Sequence, residues 1–362
     1  MDNLKEARKK INEIDAQMAK LFEERMKVSE DVALYKKEHA LPIFDEAREK
    51  EVIAKNVEFI EEDIYKEYYV PFIQNTMDIS KQYQERLFNG MKVAYSGVEG
   101  AFAHIASKKM FKNATYYSYP TFSDAYKAVE DGQCDVCVLP LENSYAGEVG
   151  LVMDLMFSGS LYINQVYELN VTHNLIAKKG TKIENIKTVY SHQQALDQCN
   201  KYIKNKNLET RELENTAIAA KYVSTQDDNT IAAIASIDTA ELYGLEVLDQ
   251  NINASAQNTT RFGAFCRSLH KNTEKAKMGE HFILVFTVKN EAGALAKTLN
   301  IIGSYGYNMR TLRSRPMKDL IWNYYFYIEL DGSIRTEDGK DMLNALKVFC
   351  DKLKVVGTYF NN

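Results

Sequence analysis

Residues 92–140 read KVAYSGVEGAFAHIASKKMFKNATYYSYPTFSDAYKAVEDGQCDVCVLP. The hydrophobic period switches back and forth along this stretch. KVAYSG (92–97), TYYSY (115–119) and DVCVLP (135–140) are short β-rich runs, whereas AFAHIASKKM (101–110) and FSDAYKAVE (122–130) carry a helical pattern. Such alternation predicts an α/β fold. It resumes downstream with KTVYSH (187–192), QQALDQCNKYI (193–203), AIAAKYV (217–223), IAAIAS (231–236) and DTAELYGL (238–245). The strand-rich stretch 161–177 in the middle predicts two lobes joined by crossing strands. Residues 91–268 are therefore expected to form a two-lobed α/β domain.

Upstream, residues 1–88 read as wholly helical. Apolar residues recur at heptad spacing as Leu4, Ala7, Ile11, Ile14, Met18, Leu21, Val28, Val32 and Tyr35, with no Gly or Pro between them. One helix of roughly 50 Å follows from the rise per residue. That length exceeds what a small domain can cover, so a partner chain is implied. A turn at 39–42 leads to a second helix from near Asp45, and a third runs from about Asp63 to Leu87. Pro71 either kinks the third helix or marks a late start. Downstream, HKNTEKAKMGE (270–280) reads as a polar linker. Residues 279–362 then follow in the order βαββαβ, with a helix around 341–353, which predicts a small α+β, ferredoxin-like sandwich.

A net charge of -5 argues against a nucleic-acid binder. No apolar run reaches membrane-helix length and the start has no signal core, so a cytoplasmic protein is expected. Five cysteines suit a reducing compartment, and Cys134 and Cys137 read as buried strand residues.

The chemistry-bearing residues fall into sets. In the helical region the heptad count places Arg25 on the apolar seam, where a permanent charge must find an anion. Lys36 shares its face, and Arg8 lies too far along the helix to share one pocket with it. Asp45 and Glu49 share a face of the second helix, while Ser80 and Gln84 interrupt the apolar stripe of the third. Taken singly, each could be a register-setting polar residue or an edge residue. In the α/β region the turns at Ser96–Gly100, Glu142–Ser144, Ser191–His192 and Asn215–Ala217 would present N–H groups at helix starts, where carboxylates or phosphates bind.

Arg8, Arg25, Lys36, Asp45, Glu49, Ser80 and Gln84 resemble, in order and spacing, the active-site set of the all-helical, dimeric chorismate mutases. By that resemblance Arg8 of a partner chain and Arg25 clamp carboxylates, Lys36 and Gln84 donate to the ether oxygen, and Asp45 and Glu49 orient the ring hydroxyl. SGVEGAFAHIA (96–106), VLPLENSYAGEV (138–149), VYSHQQALDQC (189–199), ASIDTAELYGL (235–245) and NTTRF (258–262) resemble prephenate dehydratase, whose two lobes are arranged like a periplasmic binding protein. The resemblance implies that Thr260 donates to the departing hydroxyl and Arg261 helps hold a carboxylate. Glu142, Asn143, Ser144, Ser191, His192, Gln194, Thr216 and Phe262 are then expected around the cleft, with His192 as a second choice of acid.

The tail resembles an ACT domain. Gly293, Ala294 and Leu295, with Ser314, Arg315 and Pro316, match its two phenylalanine-binding motifs, and Arg313 stands where the family pattern has Glu. The apolar strands around Trp322, Tyr324 and Phe326 would offer surface for pairing tails. The combined expectation is a multidomain, bifunctional enzyme of phenylalanine biosynthesis, needing no cofactor or metal. It would act on chorismate and prephenate, respond to phenylalanine, and form a homodimer or higher homo-oligomer. Fusion to a dehydrogenase would demand a glycine fingerprint that is absent. A non-catalytic amino-acid sensor of the same architecture would not need the Thr260-Arg261-Phe262 run or the mutase set.

Overall fold

The computed structural model describes residues 2–254, 258–270, 279–317 and 323–360. The chain divides into two compact units, residues 1–91 with 113–115 and residues 92–112 with 116–362.

The first unit contains three helices: α1 (Asp2–Glu38), α2 (Glu46–Val57) and α3 (Asp63–Asn89). Ser29 and Ala33 of α1 are buried, as are Ile73, Met77, Ser80 and Gln84 of α3, whose spacing defines one helix face. The heptad stripe of α1 is not the face packed in this unit. Leu4, Ile11, Ile14, Met18, Leu21, Val28 and Val32 remain 41–63% exposed. Pro71 lies inside α3, so the helix neither starts late nor stops there, although the missing N–H removes one backbone bond. Asp45 caps α2, its carboxylate accepting from the Arg48 N–H at 3.0 Å.

The second unit opens with β1 (Met91–Ser96), α4 (Phe102–Met110), β2 (Ala114–Tyr119), α5 (Phe122–Glu130), β3 (Val136–Asn143), β4 (Gly147–Glu148), α6 (Gly150–Ser158) and β5 (Tyr162–Asn170). The chain then crosses into a second lobe. There it forms β6 (Asn174–Ala177), β7 (Thr188–Ser191), α7 (Gln193–Gln198), α8 (Asn200–Asn205), β8 (Glu209–Glu212), α9 (Thr216–Thr225), β9 (Ile231–Ala235), α10 (Ile237–Tyr243) and β10 (Glu246–Asp249). It returns to the first lobe as β11 (Thr259–Cys266). The second-lobe sheet has the order β10-β6-β9-β7-β8. Every residue of the central strand IAAIA is buried, as a continuous apolar run predicts for a strand covered on both faces.

The tail comprises β12 (Glu280–Val288), α11 (Ala294–Ser304), β13 (Met309–Pro316), β14 (Tyr324–Asp331), α12 (Glu337–Phe349) and β15 (Cys350–Phe360). The helix expected over 341–353 stops at Phe349. Cys350 and Leu353 instead pair with Val288 and Phe286 of β12, so sheet pairing overrides the local helical pattern. The expected linker falls mostly on 271–278, which, like Trp322, lies outside the described residues.

The tail does not stand apart from the first lobe. β15 lies parallel to β5 at Gly357 and Ile163, so one sheet runs β13-β14-β12-β15-β5-β11-β3-β1-β2. A single apolar core spans the seam. Met156, Leu161, Ile163 and Phe265 of the lobe join Ile283, Val285, Tyr327, Val356 and Tyr359 of the tail. The boundary expected between 268 and 279 thus divides elements of one compact unit.

The seam depends on a residue with no side chain. A Cβ on Gly357 would stand 2.2 Å from the Ile163 carbonyl oxygen, a backbone atom held in the sheet. Gly357→Ala should therefore destabilise the second unit by about 2 kcal/mol or more. Gly303→Ala, where a Cβ meets nothing within 4 Å on α11, should be neutral or stabilising. Urea denaturation of both variants checks the contrast, and equal stability of the two would refute it.

Candidate active sites

In the first unit the α1–α3 seam gathers Arg25, Ser80 and Gln84. The Arg25 guanidinium donates to the Ser80 hydroxyl and, at 3.3 Å, to the Thr76 carbonyl. Burial lowers its pKa, and among the described residues no carboxylate is paired with it to offset that cost. The Gln84 side-chain oxygen is buried without a partner. The other expected members are held differently. Lys36 donates to the Ile43 carbonyl at 2.6 Å, Glu49 pairs with Lys81 at 2.5 Å, and the Asp45 carboxylate is engaged as the α2 cap. Arg8 is exposed on α1, seventeen residues and roughly 25 Å from Arg25.

In the second unit a cleft of about 620 Å³ lies between the lobes. Five helix starts line it, through Phe102 of α4, Thr121 and Phe122 at α5, Val149 and Leu151 at α6, His192 and Gln194 at α7, and Asn215 and Thr216 at α9. Among the described residues no lysine or arginine lines this cleft. The cleft lining also carries Glu148 and Glu214, so an anion there would rely on backbone N–H groups and helix dipoles placed away from those carboxylates. The first-lobe turn is clamped from the second lobe: the Thr239 hydroxyl donates to the Gly100 carbonyl at 2.9 Å, and Tyr243 to that of Glu99 at 2.9 Å.

On the cleft floor Thr260 is 8% exposed and Phe262 1%. The Asn143 amide nitrogen donates to the Thr260 hydroxyl oxygen at 2.9 Å and to the Asn258 carbonyl at 2.8 Å. Its own carbonyl accepts from the N–H groups of Tyr145 and Ala146, which fixes the amide's orientation. With its oxygen accepting, Thr260 has its proton free to donate. The chain of bonds continues, Asn258 donating to Gln198 at 2.9 Å. The Gln198 carbonyl can only accept, so His173 donates to it through Nε2 at 2.8 Å. Its Nδ1 is then a lone pair, buried without a partner. Burial lowers the pKa of His173, against the opposing effect of Gln198, and keeps it neutral.

Asn143, His192, Gln194, Thr216, Thr260 and Phe262 line the cleft as expected, but four other residues do not. Ser191 is fully buried, its hydroxyl donating to the Ile234 carbonyl at 2.6 Å. Ser144 accepts from the Thr259 N–H at 3.0 Å and so pins the strand. Glu142 and Arg261 face the tail, because successive side chains of β3 and β11 point to opposite sides. The Arg261 guanidinium pairs with Glu142 at 2.7 Å and with Glu329 of β14 at 2.9 and 3.1 Å. Alternation along β11 could have revealed this, since Thr260 is its neighbour. Residues not foreseen are Asn258, which stands in the NTTRF run itself, Gln198, one turn beyond Gln194, and His173.

Two tail residues, Arg313 and Arg315, are engaged with the lobe. Arg313 closes on Glu142 and lies 3.5 Å from Glu148, while Arg315 pairs with Asp154 at 3.1 Å. Both face the first lobe. Gly293 opens α11 in the left-handed region at φ +81°, with Ala294 and Leu295 following in the helix. Ser314 pairs in register with Phe326, which packs in the helix-side core, so alternation turns Ser314 toward the helices and away from Arg313 and Arg315.

Family models described as chorismate mutase type II and prephenate dehydratase match residues 7–85 and 93–269. A bifunctional chorismate mutase/prephenate dehydratase of Aquifex aeolicus is 31% identical over 368 residues, covering 99% of this chain and 98% of the relative. Two solved structures resemble the second unit. A prephenate dehydratase of Arthrobacter aurescens in complex with L-Phe is 25% identical with a TM-score of 0.67, covering 75% of this chain and 90% of its own. A quorum-quenching acylase, GqqA, is 28% identical with a TM-score of 0.69, covering 75% and 98%. With both catalytic domains matched in order and a relative aligned from end to end, the chain belongs to the bifunctional chorismate mutase/prephenate dehydratase family.

Proposed function

We propose that chorismate rearranges to prephenate at the α1–α3 seam, that prephenate becomes phenylpyruvate over Thr260, and that the tail binds phenylalanine. The observation that carries the dehydratase reading is the Thr260 hydroxyl, buried at the cleft floor with its oxygen already accepting from Asn143. As carbon dioxide leaves, the electron pair of its bond to the ring becomes part of the aromatic π system, and the pair of the carbon–oxygen bond departs with the hydroxyl. The Thr260 hydroxyl donates a hydrogen bond to that oxygen as it leaves at the hydroxide level, and solvent water supplies the proton that makes it water. The fixed Asn143 amide keeps the hydroxyl from turning away. The substrate carboxylates are held by the helix starts, a role that the tail-facing Arg261 leaves to them.

In the mutase unit the reaction is unimolecular and needs no nucleophile, only a fixed chair and stabilised charge on the ether oxygen. Arg25 supplies the half-buried cation. The exposed heptad stripe of α1 supports a homodimer, in which a second copy covers it and brings its own Arg8 to the site. Lys36, Asp45 and Glu49 reach substrate there by exchanging their present partners.

The tail is read as a ferredoxin-like ACT domain, on its βαββαβ order and its sheet order β13-β14-β12-β15. Phenylalanine binds at the start of α11, where the N–H groups after Gly293 take its carboxylate, with Ser314 across the groove. Arg313 and Arg315, committed to Glu142 and Asp154, instead hold the tail to the lobe, and Pro316 ends β13.

Arg25→Ala should lower mutase turnover by about 10²–10³-fold while dehydratase activity on supplied prephenate persists; coupled assays on one preparation check both. Thr260→Ala should lower phenylpyruvate formation by about 10²–10⁴-fold and let prephenate accumulate from chorismate, with Thr260→Ser recovering part. Retained turnover in the alanine variant would move the role to His192. Calorimetry on the full chain should show heat with phenylalanine and none with its amide, which lacks the carboxylate. Equal binding of the two would exclude the α11 start as the carboxylate site.

A further inference from the structure

The two cleft residues that form the Thr260 hydrogen bond are each followed or preceded by a charge facing the tail. In register, Thr260 pairs with Asn143 and Arg261 with Glu142. The pairing then skips a residue, Phe262 lying opposite Pro140, so the ladder is interrupted beside the site. Ion pairs with the tail hold the strands there. Glu329, 0% exposed, takes both ends of the Arg261 guanidinium and also accepts from the hydroxyls of Tyr327 and Tyr359. Arg313 of β13 closes on the second oxygen of Glu142. A separate grip acts on α6, whose N-cap Val149 and first-turn Leu151 line the cleft: Arg315 and the Tyr325 hydroxyl both hold Asp154, the latter at 2.7 Å.

We propose that Glu329 of the tail is a positioning residue of the dehydratase, setting through Arg261 and Glu142 where the Asn143 amide and the Thr260 hydroxyl stand in the cleft. The tail is then a working part of the catalytic site as well as a sensor attached to it. A buried carboxylate this fully paired tolerates little displacement, because any shift leaves charge unpaired. The inference rests on the reading of Thr260 as the group at the departing hydroxyl.

The test is a double-mutant cycle on the full chain, measuring kcat and KM for prephenate, with mutase activity of the same preparation as reference. Glu329→Gln should lower kcat by about 10–100-fold with KM within about twofold. In a Thr260→Ala background the same substitution should lower the residual rate by less than about twofold, because the group it positions is gone. A loss of folded protein would multiply equally in both backgrounds, and that result overturns the proposal. So does wild-type kcat in Glu329→Gln beside an impaired Thr260→Ala, which leaves the reading of Thr260 intact. A fully active Thr260→Ala overturns that reading and this inference with it. If Glu329→Gln fails to fold, Glu329→Asp, which keeps the charge and shortens its reach, is put through the same cycle under the same criteria.

Discussion

A carboxylate with no exposure to water must be paired on all sides, and Glu329 meets that demand by drawing two segments of the chain together. Burial pushes its pKa up, and the hydrogen bonds and charge of Arg261 reverse the balance, so the group stays ionised below the usual carboxylate range. The same burial, opposed by Glu329, leaves the Arg261 guanidinium more firmly charged than usual. Removing either partner would leave the other incompletely paired, Arg261 keeping the part-exposed Glu142 at 2.7 Å and Glu329 keeping Arg310 at 3.7 Å, and breaking such a buried pair is destabilising. An apolar seam alone would permit the tail to slide on β5. The charges specify one docking, and Gly357 provides the close backbone approach that this docking requires.

From that constraint the site's chemistry follows in steps. The tail fixes Arg261 and Glu142; these flank Thr260 and Asn143 on the opposite face; and the turn at Tyr145 and Ala146 fixes which end of the Asn143 amide points at Thr260. What results is one hydroxyl whose oxygen accepts from a fixed amide. The remaining polar floor, Asn258, Gln198 and neutral His173, is a directed chain of donors and acceptors without a net charge. A neutral floor with helix starts around the rim suits a dianionic substrate that loses one carboxylate as carbon dioxide. A lysine or arginine bound tightly to that carboxylate would stabilise the starting state more than the transition state.

Much of this was legible from local pattern. The three helices, the two-lobed alternation and the βαββαβ tail are periodic over long windows, where pattern reading is strongest. The stretch 350–353 shows where it fails: Cys350 and Leu353 continue the helical spacing of α12, yet β12 offers them strand partners more than sixty residues away. The site divides in the same way. Thr260 and Asn143 sit in recognisable runs, but the role of Arg261 is decided by Glu329, which no local window connects to it. Ser191 and Ser144 share that limit, since a hydroxyl at a strand end serves a neighbouring backbone as readily as a ligand. Heptad counting puts Arg25 on the apolar stripe of α1, whereas the face that α1 buries within its own unit, through Ser29 and Ala33, is offset from that stripe.

The junction also bears on control. An effector changes activity only by binding two arrangements with different affinity, and substrate must then oppose or assist it to the same degree. A flexible linker between tail and lobe would provide no such coupling, because each could move without the other. Here β14 and β11 share a buried charge, β15 and β5 share a sheet edge, and Arg315 and Tyr325 share Asp154 with α6. Any tilt of β13 and β14 that accompanies closure of the α11 groove strains these contacts first. Arg313 adds a contact that a carboxylate at this position would not make, since it would face Glu142 with like charge. The cation holds the lobe in its present register, so an effector acting through the tail must displace one more ion pair than in a chain with Glu there.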